Sequence, residues 1–155
     1  MKKSGALKDP YVFLFSVGLL SFIIGISLWI FFRGGFIHHY PKQAHGNIMF
    51  FGFLWSFVAG FMMTAVPRMT GEAPASGLEI SAAVGFVFLQ LMLNLGNFPN
   101  ASLFLFFLQI IFLAFFLTRR MMVKKQIPFE GFIFFPFAFL QGILGVSIFL
   151  VGHSS

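Results

Sequence analysis

Residues 43–77, QAHGNIMFFGFLWSFVAGFMMTAVPRMTGEAPASG, decide the fold. Between His45 and Val66 there is no Asp, Glu, Lys or Arg. Crossing a hydrocarbon core takes about 20 apolar residues in a helix, and this run supplies them. It closes on TAVPRMTG, where Pro67 and Gly71 read as a helix stop. The segment is therefore a membrane-spanning helix with one histidine, His45, at its entrance.

Four further runs of comparable length and hydropathy flank it, at 11–32, 78–96, 99–118 and 129–151. The first is too long for the core of a signal peptide and lacks a small-residue cleavage site, so it reads as a retained span. Asn97 and little else separates the third and fourth spans, which predicts a tight helical hairpin. Pro99 suits the first turn of the fourth helix, where its missing N–H costs nothing. The expected architecture is an all-α, polytopic transmembrane bundle of about five helices, forming one integral membrane domain over 1–155.

Composition agrees. The 155 residues are 59% hydrophobic and 9% charged, whereas a soluble domain is about a quarter charged. Phenylalanine is the excess residue, at 27 copies, suited to facing acyl chains or filling gaps between helices. With no cysteine, disulfides, thiolate metal sites, CxxCH haem attachment and cysteine nucleophiles are excluded. Any bound haem is non-covalent, and any metal is held by His, Met, carboxylate or carbonyl. No P-loop, Gly-x-Ser-x-Gly motif or Ser/His/Asp set is present, so hydrolase and ATP-driven chemistry have no support.

The net charge of +6 is a topology signal rather than a basic patch for nucleic acid. Lys2, Lys3, Lys8, Arg68, Arg119, Arg120, Lys124 and Lys125 fall in alternate loops on one side, against Arg33 and Lys42 on the other. This bias predicts a cytoplasmic N-terminus and, with five spans, an external C-terminus. His38, His39 and His45 then lie at the outer face.

At 100° per residue, His45, Met49, Gly52, Ser56, Ala59, Gly60 and Met63 share one face of the second helix. Phe50, Phe53, Leu54, Phe57 and Phe61 occupy the other. One reading is a haem groove: an axial imidazole above a smooth surface that lets a porphyrin approach the backbone, with Arg33 and Lys42 near the propionates. The other reading is a small-xxx-small packing stripe, Gly52-xxx-Ser56-xxx-Gly60, headed by an interfacial histidine. His38, His39 and His45 form the only histidine cluster and are candidate copper or zinc ligands; a hydrated loop is the alternative. Met49 and Met63 are candidate soft-metal ligands or apolar packing.

The residues Thr64-Ala65-Val66-Pro67-Arg68-Met69-Thr70-Gly71, led by Ala59-Gly60-Phe61 and followed by Pro74-Ala75-Ser76-Gly77-Leu78, resemble the signature of the NnrS family. Upstream, His45, Met49 and Gly52-Phe53 match that family's His-x-His-Glu-Met run preceding Gly-Phe, with Asn47 and Ile48 replacing the second His and the Glu. His45 followed by glycine is also similar to the second-span haem-ligand histidine of haem-copper oxidase catalytic subunits. The resemblance is clearest over residues 10–100, and the chain looks like the N-terminal part, or a short relative, of a longer protein whose other spans carry a second axial ligand and a copper site.

The resemblance implies a haem-binding protein of the bacterial inner membrane, acting in nitric oxide metabolism or nitrosative-stress defence. His45, Met49, Gly52, Ser56 and Gly60 are its cofactor-binding candidates, and His45, His38 and His39 its metal candidates. The implied cofactors are b-type haem and, second, copper. The implied partners are the lipid bilayer, haem, nitric oxide and a further membrane subunit or second copy, with no nucleic acid. The competing reading is a cofactor-free membrane subunit or transporter-like bundle.

Arg68 and Glu72 read as a gate or, more simply, as charges in interfacial water at a helix stop. Glu79 and Glu130 sit near helix starts, where the dipole favours a carboxylate. Gln90, Asn94, Gln109 and Gln141 lie within spans and are expected to hydrogen-bond between helices.

Overall fold

The computed structural model describes residues 9–122 together with Gln141 and Leu144. Its regular structure there is helical, with no strand among the described residues. Four helices, α1 (Pro10–Arg33), α2 (Lys42–Thr70), α3 (Gly77–Leu95) and α4 (Pro99–Met122), are each long and apolar enough to cross a membrane. The chain is a multi-pass membrane protein. The predicted fifth span, 129–151, lies outside the described residues except for Gln141 and Leu144, both helical, as do Glu130 and the basic residues of the termini and the 123–128 loop.

Local chemistry sets the helix ends. Pro10 opens α1 at a position where a missing N–H is harmless. Ser76 caps α3: its hydroxyl accepts from the Glu79 backbone N–H, while the Glu79 carboxylate accepts from the Ser76 backbone N–H. This capping box satisfies two otherwise orphaned donors. Asn97, at φ 59°, makes the turn that folds α3 back onto α4, as the hairpin prediction required.

The second span differs from its expected 45–66. It starts at Lys42, because the His45 N–H reaches the Pro41 carbonyl at 2.8 Å. It continues through Pro67 to Thr70. A proline in the last turn removes one backbone bond without blocking the turn that follows. The real stop is Gly71, in the left-handed region at φ 65°, where a Cβ would be strained. The Glu72 N–H then closes the end on the Pro67 carbonyl at 3.0 Å. Within α2, Ile48–Leu54 winds as a π-helix between two α-helical stretches.

Large apolar side chains cover the outside of the bundle as well as its core. Ile23, Ile30, Phe61, Phe104 and Phe115 are all more than half exposed, as side chains facing lipid would be. The interior holds Leu14 and Val17 of α1, Ala59, Met63 and Val66 of α2, Ala83 and Val87 of α3, and Leu113, Phe116 and Leu117 of α4. A second cluster, Leu103, Phe106 and Ile110, packs with Phe51 and Trp55.

Among the described residues, two ion pairs gather the charged ends. Arg68 at the end of α2 meets Asp9 before α1 at 2.8 Å. Arg120 at the end of α4 meets Glu79 at the start of α3 at 2.9 Å. One end of the bundle thus carries Asp9, Arg68, Glu79 and Arg120, and the opposite end carries Arg33, His38, His39, Lys42 and His45. Among the described residues, Arg68 and Arg120 lie at the end opposite Arg33 and Lys42, as the loop charges predicted.

Candidate functional site

The small-residue face of α2 meets α1 along its whole length, antiparallel. A Cβ added to Gly60 would fall 3.1 Å from Leu14 Cβ, and one on Gly52 would fall 3.0 Å from Ser21 Cβ. From the other side, a Cβ on Gly18 would meet Ser56 Cβ at 3.0 Å, and one on Gly25 would meet Met49 Sδ at 3.1 Å. Such contacts leave room for a hydrogen and nothing larger. The face that the sequence offers to a porphyrin is a helix–helix seam, and Gly52, Ser56 and Gly60 are filled by α1. The sequence signal for this partner was present in α1 itself, in Gly18, Ser21 and Gly25.

Polar groups in the seam satisfy themselves within their own helices. Ser21 Oγ donates to the Val17 carbonyl at 3.0 Å, Ser56 Oγ to the Gly52 carbonyl, and Thr64 Oγ1 to the Gly60 carbonyl at 2.8 Å. The exception at the α1 start is the Tyr11 N–H, which donates to Thr64 Oγ1 at 3.2 Å.

At the head of the seam, His45 is different. Its Nδ1 lies 2.8 Å from the Gly25 carbonyl oxygen. A carbonyl only accepts, so Nδ1 carries the proton and Nε2 of the neutral ring keeps its lone pair. The ring stands edge-on to Trp29 at 5.6 Å, and Trp29 and Phe32 both meet Tyr40. The half-buried imidazole is therefore oriented by one hydrogen bond and an aromatic wall. The π-helical turn of Ile48–Leu54 begins three residues later, and such turns concentrate at functional sites.

His38 and His39 are exposed, in the segment before Pro41. No three His, Asp or Glu side chains among the described residues come together as metal ligands. The structure does not unite His38, His39 and His45. Met49 packs against Gly25 within the seam, and Met63 is buried in the core.

Between α3 and α4 the polar residues bond across the interface, as expected. Gln109 Nε2 donates to Gln90 Oε1 at 3.3 Å, and Gln90 Nε2 to Ser102 Oγ at 2.7 Å. Ser102 Oγ donates to Asn94 Oδ1 at 3.0 Å, and Asn94 Nδ2 to the Gln90 carbonyl at 2.8 Å. All four residues are buried. Ser102 is the member that sequence reading missed, because a serine in the first turn of a helix looks like an interfacial residue. Arg120 was read only as a topology marker. It grips both Glu79 carboxylate oxygens and the Ala73 carbonyl, and lies over the Phe116 ring at 3.6 Å.

The family model described as NnrS protein matches residues 6–154. The chain belongs to the NnrS family. The match extends well beyond the 10–100 stretch that carries the visible motif. No curated protein and no solved structure matches the chain. In this NnrS protein the motif residues have distinct places. His45 heads α2, Gly52 and Gly60 seat α1, and Thr64 to Gly71 build the helix end paired with Asp9 and α1.

Proposed function

We propose that this NnrS protein binds b-type haem through His45 and acts in nitric oxide metabolism or nitrosative-stress defence. The observation that carries the proposal is the hydrogen bond from His45 Nδ1–H to the Gly25 carbonyl. Metal-ligating histidines almost always donate their second nitrogen to a carbonyl or carboxylate, which fixes the tautomer and raises the basicity of the ligating nitrogen. His45 has this preparation, with Nε2 as the available donor to iron.

The residues fit the group only in part. His45 fits an axial imidazole, while the Gly52–Ser56–Gly60 face, occupied by α1, does not fit a ring. The porphyrin therefore belongs at the His45 end of the bundle rather than along α2. Arg33 and Lys42 are exposed at that end and are suited to the propionates. When bound, haem iron supplies a site that takes up nitric oxide directly. The chain's own contributions are to hold the imidazole, keep its tautomer and set it against Trp29, which Tyr40 backs. The charge segregation supports a cytoplasmic position for the Arg68 and Arg120 end and an external one for His45, in a bacterial inner membrane.

A cofactor-free subunit is the second reading, favoured by the fact that packing against α1 accounts for Gly52, Ser56 and Gly60 on the α2 face. An absorption spectrum separates the two. The purified protein reconstituted with haem is expected to show a Soret band that His45→Ala removes or strongly shifts and that His153→Ala, at the fourth histidine of the sequence, leaves alone. Lack of any Soret band, or a six-coordinate low-spin spectrum that survives His45→Ala, would overturn the assignment.

A further inference from the structure

The sequence holds two tryptophans and two tyrosines, and one contact joins a member of each pair. Trp29 of α1 stands edge-on to Tyr40, with ring centroids 5.4 Å apart and planes at 83°. This is the packed edge-to-face arrangement that aromatic pairs favour. Trp29 also stands edge-on to the His45 imidazole, at 5.6 Å. His45, Trp29 and Tyr40 thus form a series of ring contacts that runs from a half-buried imidazole to a residue 64% exposed. Local structure places Tyr40 there. Gly35, at φ 75°, turns the chain after α1, and Pro41 caps the helix that begins at Lys42. The segment between them lays Tyr40 against Trp29 and against Phe32, which it meets at 5.6 Å. The remaining members are placed differently: Trp55 meets Phe106, and Tyr11 meets Phe15.

Indole and phenol each give up one electron to a strong oxidant, and the ring delocalises the radical that remains. At neutral pH the phenol, which sheds its proton as it is oxidised, is the easier of the two to oxidise. An indolyl radical in contact with a phenol therefore takes an electron from it. The balance closes. Trp29 first loses one electron to the oxidant and its indole proton to solvent. It then regains one electron from Tyr40 and one proton from solvent. Tyr40 releases its hydroxyl proton to solvent and becomes a phenoxyl radical. Phenylalanine is too hard to oxidise to take part, so Phe32 only steadies the Tyr40 ring.

We propose that Trp29 and Tyr40 form a one-electron relay that carries oxidising equivalents from beside His45 to the surface at that end of the bundle. The oxidant is a one-electron radical. Nitrogen dioxide, which nitric oxide and dioxygen form, belongs to that class, and only this choice of oxidant rests on the nitric oxide reading above. A soluble reductant of the thiol or ascorbate class then returns one electron and one proton to Tyr40 at its exposed position. The relay draws oxidation away from the half-buried His45 and from Met49, which packs against Gly25 in the seam. It stands whether or not His45 binds haem.

Pulse radiolysis of the full chain in detergent micelles, with azide radical as the oxidant, tests the relay. Trp55→Phe is the starting protein, so that Trp29 is its only indole. Transient absorption is expected to show the indolyl radical decaying as phenoxyl radical grows, at a rate independent of protein concentration. Phenoxyl made by direct attack of azide radical does not follow the indolyl decay and is thereby told apart. In Tyr40→Phe, made in the same background, the coupled growth is expected to be lost and the indolyl radical to persist several-fold longer. That substitution keeps the ring and removes only the hydroxyl, so a merely structural role of Tyr40 does not move the signal. Tyr11→Phe is expected to leave both signals unchanged. Absence of coupled phenoxyl growth overturns the proposal, as does growth that persists in Tyr40→Phe or a rate that rises with protein concentration. If Trp55→Phe does not fold, the native chain carries the test, because Tyr40→Phe against Tyr11→Phe still identifies the acceptor.

Discussion

Along α1 and α2 the helices approach because side chains are missing, whereas along α3 and α4 they approach because side chains bond. In the first seam, Gly18, Gly25, Gly52 and Gly60 let backbones close to within van der Waals contact, and the hydroxyls turn back onto their own helices. Polar contacts across it are confined to its ends, where the Tyr11 N–H donates to Thr64 and His45 reaches across to Gly25. In the second, Gln90, Asn94, Ser102 and Gln109 spend their donors and acceptors on each other across the interface, with one acceptor left free. The contrast teaches where unused chemical capacity lies in a membrane bundle. A stripe of glycine and serine resembles a cofactor surface, yet here helix packing consumes it. The polar groups left over sit at the ends of the two devices: a histidine above the dry seam and an unpaired amide oxygen at the end of the hydrogen-bonded one.

The dry seam gives the largest expected effect. Gly52→Leu forces a side chain into a space where even a Cβ meets Ser21 at 3.0 Å. Overpacking of this kind typically costs 1–3 kcal/mol, and a leucine at backbone contact belongs at the upper end, about 3 kcal/mol. Gly46→Leu, on the same helix with nothing within 4 Å, is the control. Thermal unfolding followed by size-exclusion chromatography in detergent is expected to show Gly52→Leu aggregating many degrees below the native protein while Gly46→Leu behaves like it. If the two variants behave alike, α1 does not sit on this face, and the haem groove along α2 returns.

The ion pairs at the Arg120 end extend the comparison to charge. The Arg120 and Glu79 side chains are 10% and 21% exposed, against 64% for Arg68 in its pair with Asp9. Removing one partner of a buried pair leaves an uncompensated charge and costs 3–5 kcal/mol when burial is complete. With partial exposure, Arg120→Ala is expected to cost about 2 kcal/mol. Arg68→Ala is expected to cost less than about 1 kcal/mol, as exposed pairs do. Denaturant titration of both variants in mixed micelles measures the difference. Equal losses would mean that Arg120 contributes no more than a solvated charge.

Much of this arrangement is legible in the sequence, for reasons that residues can illustrate. Spans follow from hydropathy, because the bilayer demands a fixed length of apolar helix. The hairpin follows from Asn97 and Pro99, which break helices by local geometry. The position of Glu79 near a helix start was readable, and Ser76-x-x-Glu79 carried the capping signal as well. Beyond the helix, legibility fails. The small-residue stripe of α2 was visible, but what lies on it depends on a partner helix chosen by tertiary packing. The Arg120–Glu79 pair joins residues 41 apart, and no local pattern announces it. Pro67 misled because a proline near a helix end is tolerated when the following turn is completed by a left-handed glycine. The π-helical winding of Ile48–Leu54 has no compositional mark. His45 was legible as a candidate from its place at the mouth of a span, whereas its bond to Gly25 was not.

The smallest expected effects come from one substitution made in both seams, and they sharpen the comparison most. Ser56 in the dry seam and Ser102 in the hydrogen-bonded one are both 0% exposed. Ser56 Oγ bonds only to the Gly52 carbonyl of its own helix, whereas Ser102 Oγ accepts from Gln90 and donates to Asn94. In Ser56→Ala the Gly52 carbonyl returns to its ordinary backbone role, and alanine is the better helix former. The expected change is within about 0.5 kcal/mol. In Ser102→Ala, Gln90 Nε2 and Asn94 Oδ1 lose their partner together. Interhelical hydrogen bonds in membrane proteins average about 0.6 kcal/mol and reach about 1.7. With a donor and an acceptor both orphaned, about 1 kcal/mol is expected. Because the volume removed is the same oxygen and the burial is the same, the gap between the two variants isolates the contribution of bonding across the interface. Equal costs, or a larger cost at Ser56, would mean that the two seams are held by packing alone and that the amide ladder merely lines one of them.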